Sequence, residues 1–321
     1  MPVPRDVLRA LIVGADMHDA QGSALSGSTQ IPVWYCVQLG HAAAQWVAHE
    51  AGIDILHIKG AAIDPTLRSP EQERPVDGLA EEPWRPRGST DADVLVRPDQ
   101  APALLDALIS RGWRVVTDFE TGSAFRHASS LWHPHLGHLD VHRHFPGIGL
   151  DAAGAFELMW ADRHTIEIAH RTCDVPSVAA QRVLLLLHTA RGGRLSDREW
   201  AWERADALQR REAEALVATL RAEVAFAAAM GGLDRFADAP EHDLWALYSS
   251  SRDLPRWAEW RARFRAARGV RGKAGVLASM LRVNRGHLEM ELGRQPSRRD
   301  LRRASWRRIG RALSGVWGSG R

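Results

Sequence analysis

The segment Asp91-Ala92-Asp93-Val94-Leu95-Val96 constrains the fold more than any other part of the chain. Its apolar run reads as a buried strand. Strand side chains alternate faces, so Asp91 and Asp93 project to one side while Ala92 and Val94 project to the other. Two carboxylates a few ångströms apart repel unless a cation lies between them or one takes up a proton. The fold must bring a compensating group to this point, and a divalent ion is the commonest one. Ligands made only of oxygen favour Mg²⁺ or Mn²⁺ over zinc.

Two other segments belong with this pair. Upstream, Ile53-Asp54-Ile55-Leu56-His57-Ile58 reads as a strand that ends in Lys59-Gly60 and enters Ala61-Ala62-Ile63. A strand delivering Lys-Gly into a helix start offers free N–H groups and one cation, which suits a polyphosphate. Downstream, Gly137-His138-Leu139-Asp140-Val141-His142-Arg143-His144-Phe145 alternates so that His138, Asp140, His142 and His144 share one face. If that strand neighbours the Asp91 strand, Asp140 completes a cluster of three carboxylates able to hold two metal ions for in-line displacement at phosphorus.

The order Lys-Gly, then Arg87-Gly88-Ser89-Thr90-Asp91-Ala92-Asp93 followed by Val-Leu-Val, then Leu139-Asp140-Val141-His142, resembles the nucleotidyltransferase (polymerase beta-like) superfamily. It is most similar to the bacterial branch of uncharacterised nucleotidyltransferases, over roughly residues 35 to 235. The resemblance implies an α/β (α+β) fold, with a mixed-sheet nucleotidyltransferase core followed by a helical C-terminal region. It implies a Mg²⁺-dependent enzyme that transfers a nucleoside monophosphate from a nucleoside triphosphate such as ATP to a hydroxyl acceptor, releasing pyrophosphate. Asp91 and Asp93 would hold the ions that bridge the phosphates. Asp140 would ligate the ion at the acceptor hydroxyl and accept its proton, and Lys59 with Gly60 would steady the departing phosphates. Arg87 would pair with the carboxylates or reach a phosphate. Ser89 and Thr90 are either phosphate contacts or turn formers, and His142 either partners Asp140 or bonds a neighbouring loop. The acceptor is open: a small molecule, an RNA end, or a protein or peptide side chain.

The chain departs from that family between Ser69 and Arg87, where a Pro-rich, acidic segment with Glu71, Glu73, Asp77, Glu81 and Glu82 is inserted. Its low apolar content predicts a mobile loop at the rim of the site, a lid or an inert insertion.

The 321 residues predict two domains, a core over 1–176 with N-terminal helices and a helical domain over 177–321, with the boundary near Pro176 where strand signals end. Helices are expected over 5–18, 33–51 and 98–111, and strands at 53–58, 91–96, 113–118, 136–145 and 164–169. The net charge of +3 does not itself indicate nucleic acid. Eight arginines against one aspartate between Arg294 and Arg311 form either a solvated helix face or a surface for a phosphate-rich partner. Two cysteines without a Cys-x-x-Cys pattern, no signal-peptide core and no apolar run near the roughly 20 residues of a membrane span predict a cytoplasmic protein.

Two other functions remain open at this level. The cluster His127, His133, His135, His138, His142 and His144 admits a zinc or transition-metal hydrolase. The arginine-rich tail admits a catalytically inactive nucleotide- or RNA-binding protein.

Overall fold

The computed structural model describes residues 31–68, 89–120, 125–192, 195–249, 256–267, 269–281 and 294–317, with 283, 288 and 292. The helix expected over 5–18, the insertion and Arg87 lie outside these residues. Among the described residues are eleven α-helices and seven strands, so the fold is mixed α/β. Two compact units divide the chain: residues 1–115, 130–144 and 151–181, and residues 116–129, 145–150 and 182–321.

In the first unit, helix α1 (Val33–Glu50) buries Val37, Gly40, His41, Ala42, Ala43, Ala44, Val47 and Ala48. So many small residues let it lie close to the sheet. At Gly40 a Cβ would stand 3.3 Å from the Ala92 Cβ, so glycine permits the approach. Gly52 ends the helix at φ 65°, and Ile53 N–H reaches back to the Ala48 carbonyl at 2.9 Å, closing the final turn.

Five strands follow the order β1-β2-β5-β4-β3: β1 Ile55–Ile58, β2 Asp91–Val96, β3 Arg114–Thr117, β4 Ala128–His133 and β5 Gly137–His142. β1 runs antiparallel to β2, and β2 runs parallel to β5, so the sheet is mixed. The registers set Asp93 opposite Ile58 on one side and Asp140 on the other. Helix α2 (Ala101–Ile109) inserts Leu104 and Leu108, both fully buried, each contributing about 1.5–3 kcal/mol relative to exposure. After α3 (Ala152–Ala161), the hairpin of β6 (His164–Ile168) and β7 (Arg171–Val175) buries Ile168, Cys173 and Val175 with Ala61, Ala62 and part of Trp34. The hairpin thereby supports the turn that follows β1.

Two of these strands were not expected. β7 escapes notice because its turn residues, Ala169 and His170, take φ 48° and 61° without a glycine or asparagine to mark them. β4 escapes because Ser129, Ser130 and flanking histidines do not read as a strand. The alternation expected through His144 stops at His142, where β5 ends.

The second unit is mainly helical: α4 (Val178–Thr189, from residue 182 on), α5 (Leu195–Arg198), α6 (Ala207–Thr219), α7 (Glu223–Met230), α8 (His242–Ser249), α9 (Arg256–Ala266), α10 (Gly269–Leu281) and α11 (Arg298–Trp317). Asp206 and Gln209 form a capping box that starts α6. Phe125 packs on Trp245 and Tyr248, with ring centroids 5.3 and 5.0 Å away. Helix α11 exposes Arg298, Arg299, Arg302, Arg303 and Arg307, and Trp306 is 71% exposed. Among the described residues no helix is long and apolar enough to cross a membrane.

Candidate metal centre

Three adjacent elements of the first unit build the site. β2 supplies Asp91 and Asp93, β5 supplies Asp140 and His142, and the chain leaving β1 supplies Lys59 and Gly60. Because β2 and β5 are parallel and in register at Asp93 and Asp140, the two acids stand side by side on one face. Ligand atoms of Asp93, Asp140 and His142 all lie within 4.8 Å of one another, the one such group of three among the described residues.

The acids differ in surroundings. Asp93 is 2% exposed, and its Oδ1 receives the Lys59 ammonium at 2.5 Å and His142 Nε2 at 2.7 Å. Burial pushes this carboxyl upward, but Lys59 and His142 outweigh it and hold it well below the usual range. Asp140 has no ion pair among the described residues, and the nearby Lys59 charge draws it down only weakly. Burial and the neighbouring Asp93 charge push it up to about 7, against the pull of a hydrogen bond with Ser130 on β4. Asp91, nearer solvent, is raised by burial and then by Asp93.

The turn after β1 is strained and tightly held. Lys59 takes φ 58° and ψ −173°, a region almost reserved for glycine, and Gly60 takes φ 48°. A Cβ on Gly60 would stand 2.9 Å from Ser89 Oγ, so glycine is required there. Arg68 donates to the carbonyls of Ala61 and Ile63 and clasps the turn from behind. Ser89 Oγ donates to the Asp91 carbonyl at 2.8 Å, and Thr90 is exposed at the strand entrance.

Beneath the turn lies a buried chain that sequence reading missed. Gln45 Oε1 accepts from His57 Nε2 at 2.9 Å, which leaves His57 Nδ1 to accept from His41 Nδ1 at 2.9 Å. The outer nitrogen, His41 Nε2, has no hydrogen-bond partner among the described residues and would be 3.7 Å from a Gly60 Cβ. Burial lowers His41 to about 4 and, together with His41, holds His57 well below its ordinary range, so both rings are neutral. The spacing of His41 and Gln45, one helical turn apart on α1, is the available signal. Ser130 had none.

The histidine cluster does not assemble. Of its six members only His142 joins the carboxylates. His133 stacks with Trp113 and accepts from the His135 N–H at 3.2 Å, His138 lies opposite Asp91, and His127 meets Arg191 within the second unit. Two carboxylates with one imidazole make a donor set that fits Mg²⁺ or, with the imidazole as ligand, Mn²⁺. As arranged, His142 orients Asp93 and leaves the oxygens as the donors. Compared with protein-family models and with curated proteins, the chain matches none.

Proposed function

We propose that the protein is a metal-dependent nucleotidyltransferase of the superfamily its motifs resemble, transferring a nucleoside monophosphate from a nucleoside triphosphate to a hydroxyl and releasing pyrophosphate. The observation that carries this reading is the pairing of Asp93 with Asp140 across parallel strands, beside the Lys59 ammonium. Acids from distant parts of the chain face each other where burial makes like charges costly, an arrangement suited to a bound cation.

Asp91, Asp93 and Asp140 would hold Mg²⁺ or Mn²⁺, which when bound polarises the phosphorus centre and lowers the pKa of the attacking hydroxyl. Asp140, beside Asp93 across the paired strands, would accept that hydroxyl's proton. Lys59 offsets charge on the leaving pyrophosphate. His142 fixes the direction in which Asp93 presents its oxygens. The acceptor is a hydroxyl of a small molecule, an RNA or a protein.

Titration calorimetry tests the reading. ATP should bind in the presence of Mg²⁺ or Mn²⁺ and lose affinity on chelation, and Asp93→Asn or Asp140→Asn should weaken metal-dependent binding roughly a hundredfold, the size of removing one charged ligand near a dication. ATP binding that is indifferent to metal and to both substitutions refutes the assignment. Metal-dependent binding without pyrophosphate release from any triphosphate, across acceptor fractions of a lysate, identifies a nucleotide-binding protein instead.

A further inference from the structure

Asp93 Oδ1 serves two partners at once, the Lys59 ammonium at 2.5 Å and His142 Nε2 at 2.7 Å. A carboxylate so far from water needs a counter-charge at all times. Lys59 supplies it, and the chain has few alternatives of this kind: its 321 residues include two lysines, Lys59 and Lys273. The same carboxylate belongs to the group with Asp140 and His142, whose ligand atoms lie within 4.8 Å of one another. A divalent ion placed there would meet the ammonium on one oxygen, and like charges at that separation repel strongly.

The geometry gives the ammonium a way out. The main chain at Lys59 is held in its strained turn, while its four-carbon stem carries rotatable bonds that can re-aim the ammonium. The Lys59 side chain keeps 16% of its surface exposed, against 3% for Asp93, so it already meets solvent where the carboxylate does not.

We infer that Lys59 is a displaceable counter-ion, which neutralises Asp93 until a divalent cation takes that carboxylate and then turns outward to bind the phosphates of the incoming triphosphate. The second half rests on the nucleotidyl-transfer reading; the first needs only the ion. Charge is balanced at each stage. The ion replaces the ammonium among the carboxylates, and the released ammonium meets the phosphate charge. Ion binding thus prepares the phosphate site, so metal and nucleotide reinforce each other's affinity.

Two lysines make the test simple. Limited reductive methylation of the wild-type protein with formaldehyde and cyanoborohydride, read by mass spectrometry, gives the modification of Lys59 relative to Lys273, which is exposed on α10. The ratio should rise severalfold with Mg²⁺ alone and fall again when Mg²⁺ is joined by ATP. A ratio that Mg²⁺ leaves unchanged or lowers, while calorimetry registers the ion, overturns the inference and leaves the metal reading standing. Absence of any heat with Mg²⁺ and with Mn²⁺ overturns both. Lys59→Met gives an independent check: it should bind Mn²⁺ alone roughly tenfold more tightly than wild type, through loss of the competing charge, while binding Mg²⁺–ATP more weakly. A folded variant with unchanged or weaker Mn²⁺ affinity refutes the exchange; should the variant not fold, the methylation ratio decides.

Discussion

The two units handle charge differently. The first buries it: Asp93, His41, His57 and His142 are each at most 2% exposed, and the Lys59 ammonium is directed inward onto Asp93. The second buries Arg182, which donates to the Ala201 carbonyl, but lays other cations on rings or leaves them at the surface. Arg204 lies over Trp200 at 4.2 Å, Arg263 over Trp260 at 4.2 Å, and Arg298, Arg299, Arg302, Arg303 and Arg307 of α11 are exposed. Stacked guanidiniums contribute area and weak cation–π attraction, about 0.5–1 kcal/mol when exposed. Buried ions contribute little net stability yet are costly to break, so their retention points to a task other than holding the fold. The contrast agrees with the metal centre proposed for the first unit.

Breaking the buried pair should produce the largest effect. Asp93→Ala removes the acceptor shared by Lys59 and His142 and should cost about 1–3 kcal/mol of unfolding free energy, measured by denaturant titration, because the buried His142 Nε2 loses its carboxylate while Lys59 turns out to solvent. A loss of about 3–5 kcal/mol would show that the ammonium stays stranded inside and would count against its displacement.

A pH-dependent effect comes next and has a definite sign. The Asp140 carboxyl, pushed up to about 7 from an ordinary 3.8, keeps its proton in the folded state where the unfolded chain has lost it. Its contribution is full below the unfolded value and is lost as pH rises through about 7. His41, lowered to about 4 from 6.5, contributes above the unfolded value and loses that contribution as pH falls through about 4. The two oppose each other between about pH 4 and 6.5, so Asp140→Asn exposes the aspartate's share. In metal-free buffer the variant should gain stability over wild type progressively from pH 4 to 7, and saturating Mg²⁺ should erase the gain. A gap independent of pH would refute the elevated carboxyl.

The smallest effect belongs to α11. Arg302→Gln with Arg303→Gln should change stability by no more than about 0.5 kcal/mol, as for exposed charges elsewhere. A larger loss would show that these arginines have structural partners and blur the contrast between the units.

The carboxylates, Lys59-Gly60 and the mixed α/β class were legible in the sequence because each rests on local pattern. Alternation places Asp91 with Asp93, and a strand running into Lys-Gly announces a turn. What was not legible depends on pairing between distant segments. No local signal sets Ser130 beside Asp140 or joins His41 to His57. Likewise, Ala169 and His170 adopt a turn conformation that composition assigns to other residues. Even the three carboxylates split by environment in a way the sequence does not record. Asp93 and Asp140 sit in matching positions, yet only Asp93 is paired directly with Lys59.

The parallel pairing of β2 and β5 also bears on how the molecule reaches its native state. These strands are separated in sequence by α2, β3 and β4, so the contact between Asp93 and Asp140 closes a long loop, whose entropy is lost before any long-range contact compensates it. The acids that meet at this closure repel, so folding has to carry a mutual charge to a non-local junction. A cation that bridges them would accelerate assembly as well as stabilise its product, and the centre would double as a clasp that fastens when the sheet has found its register.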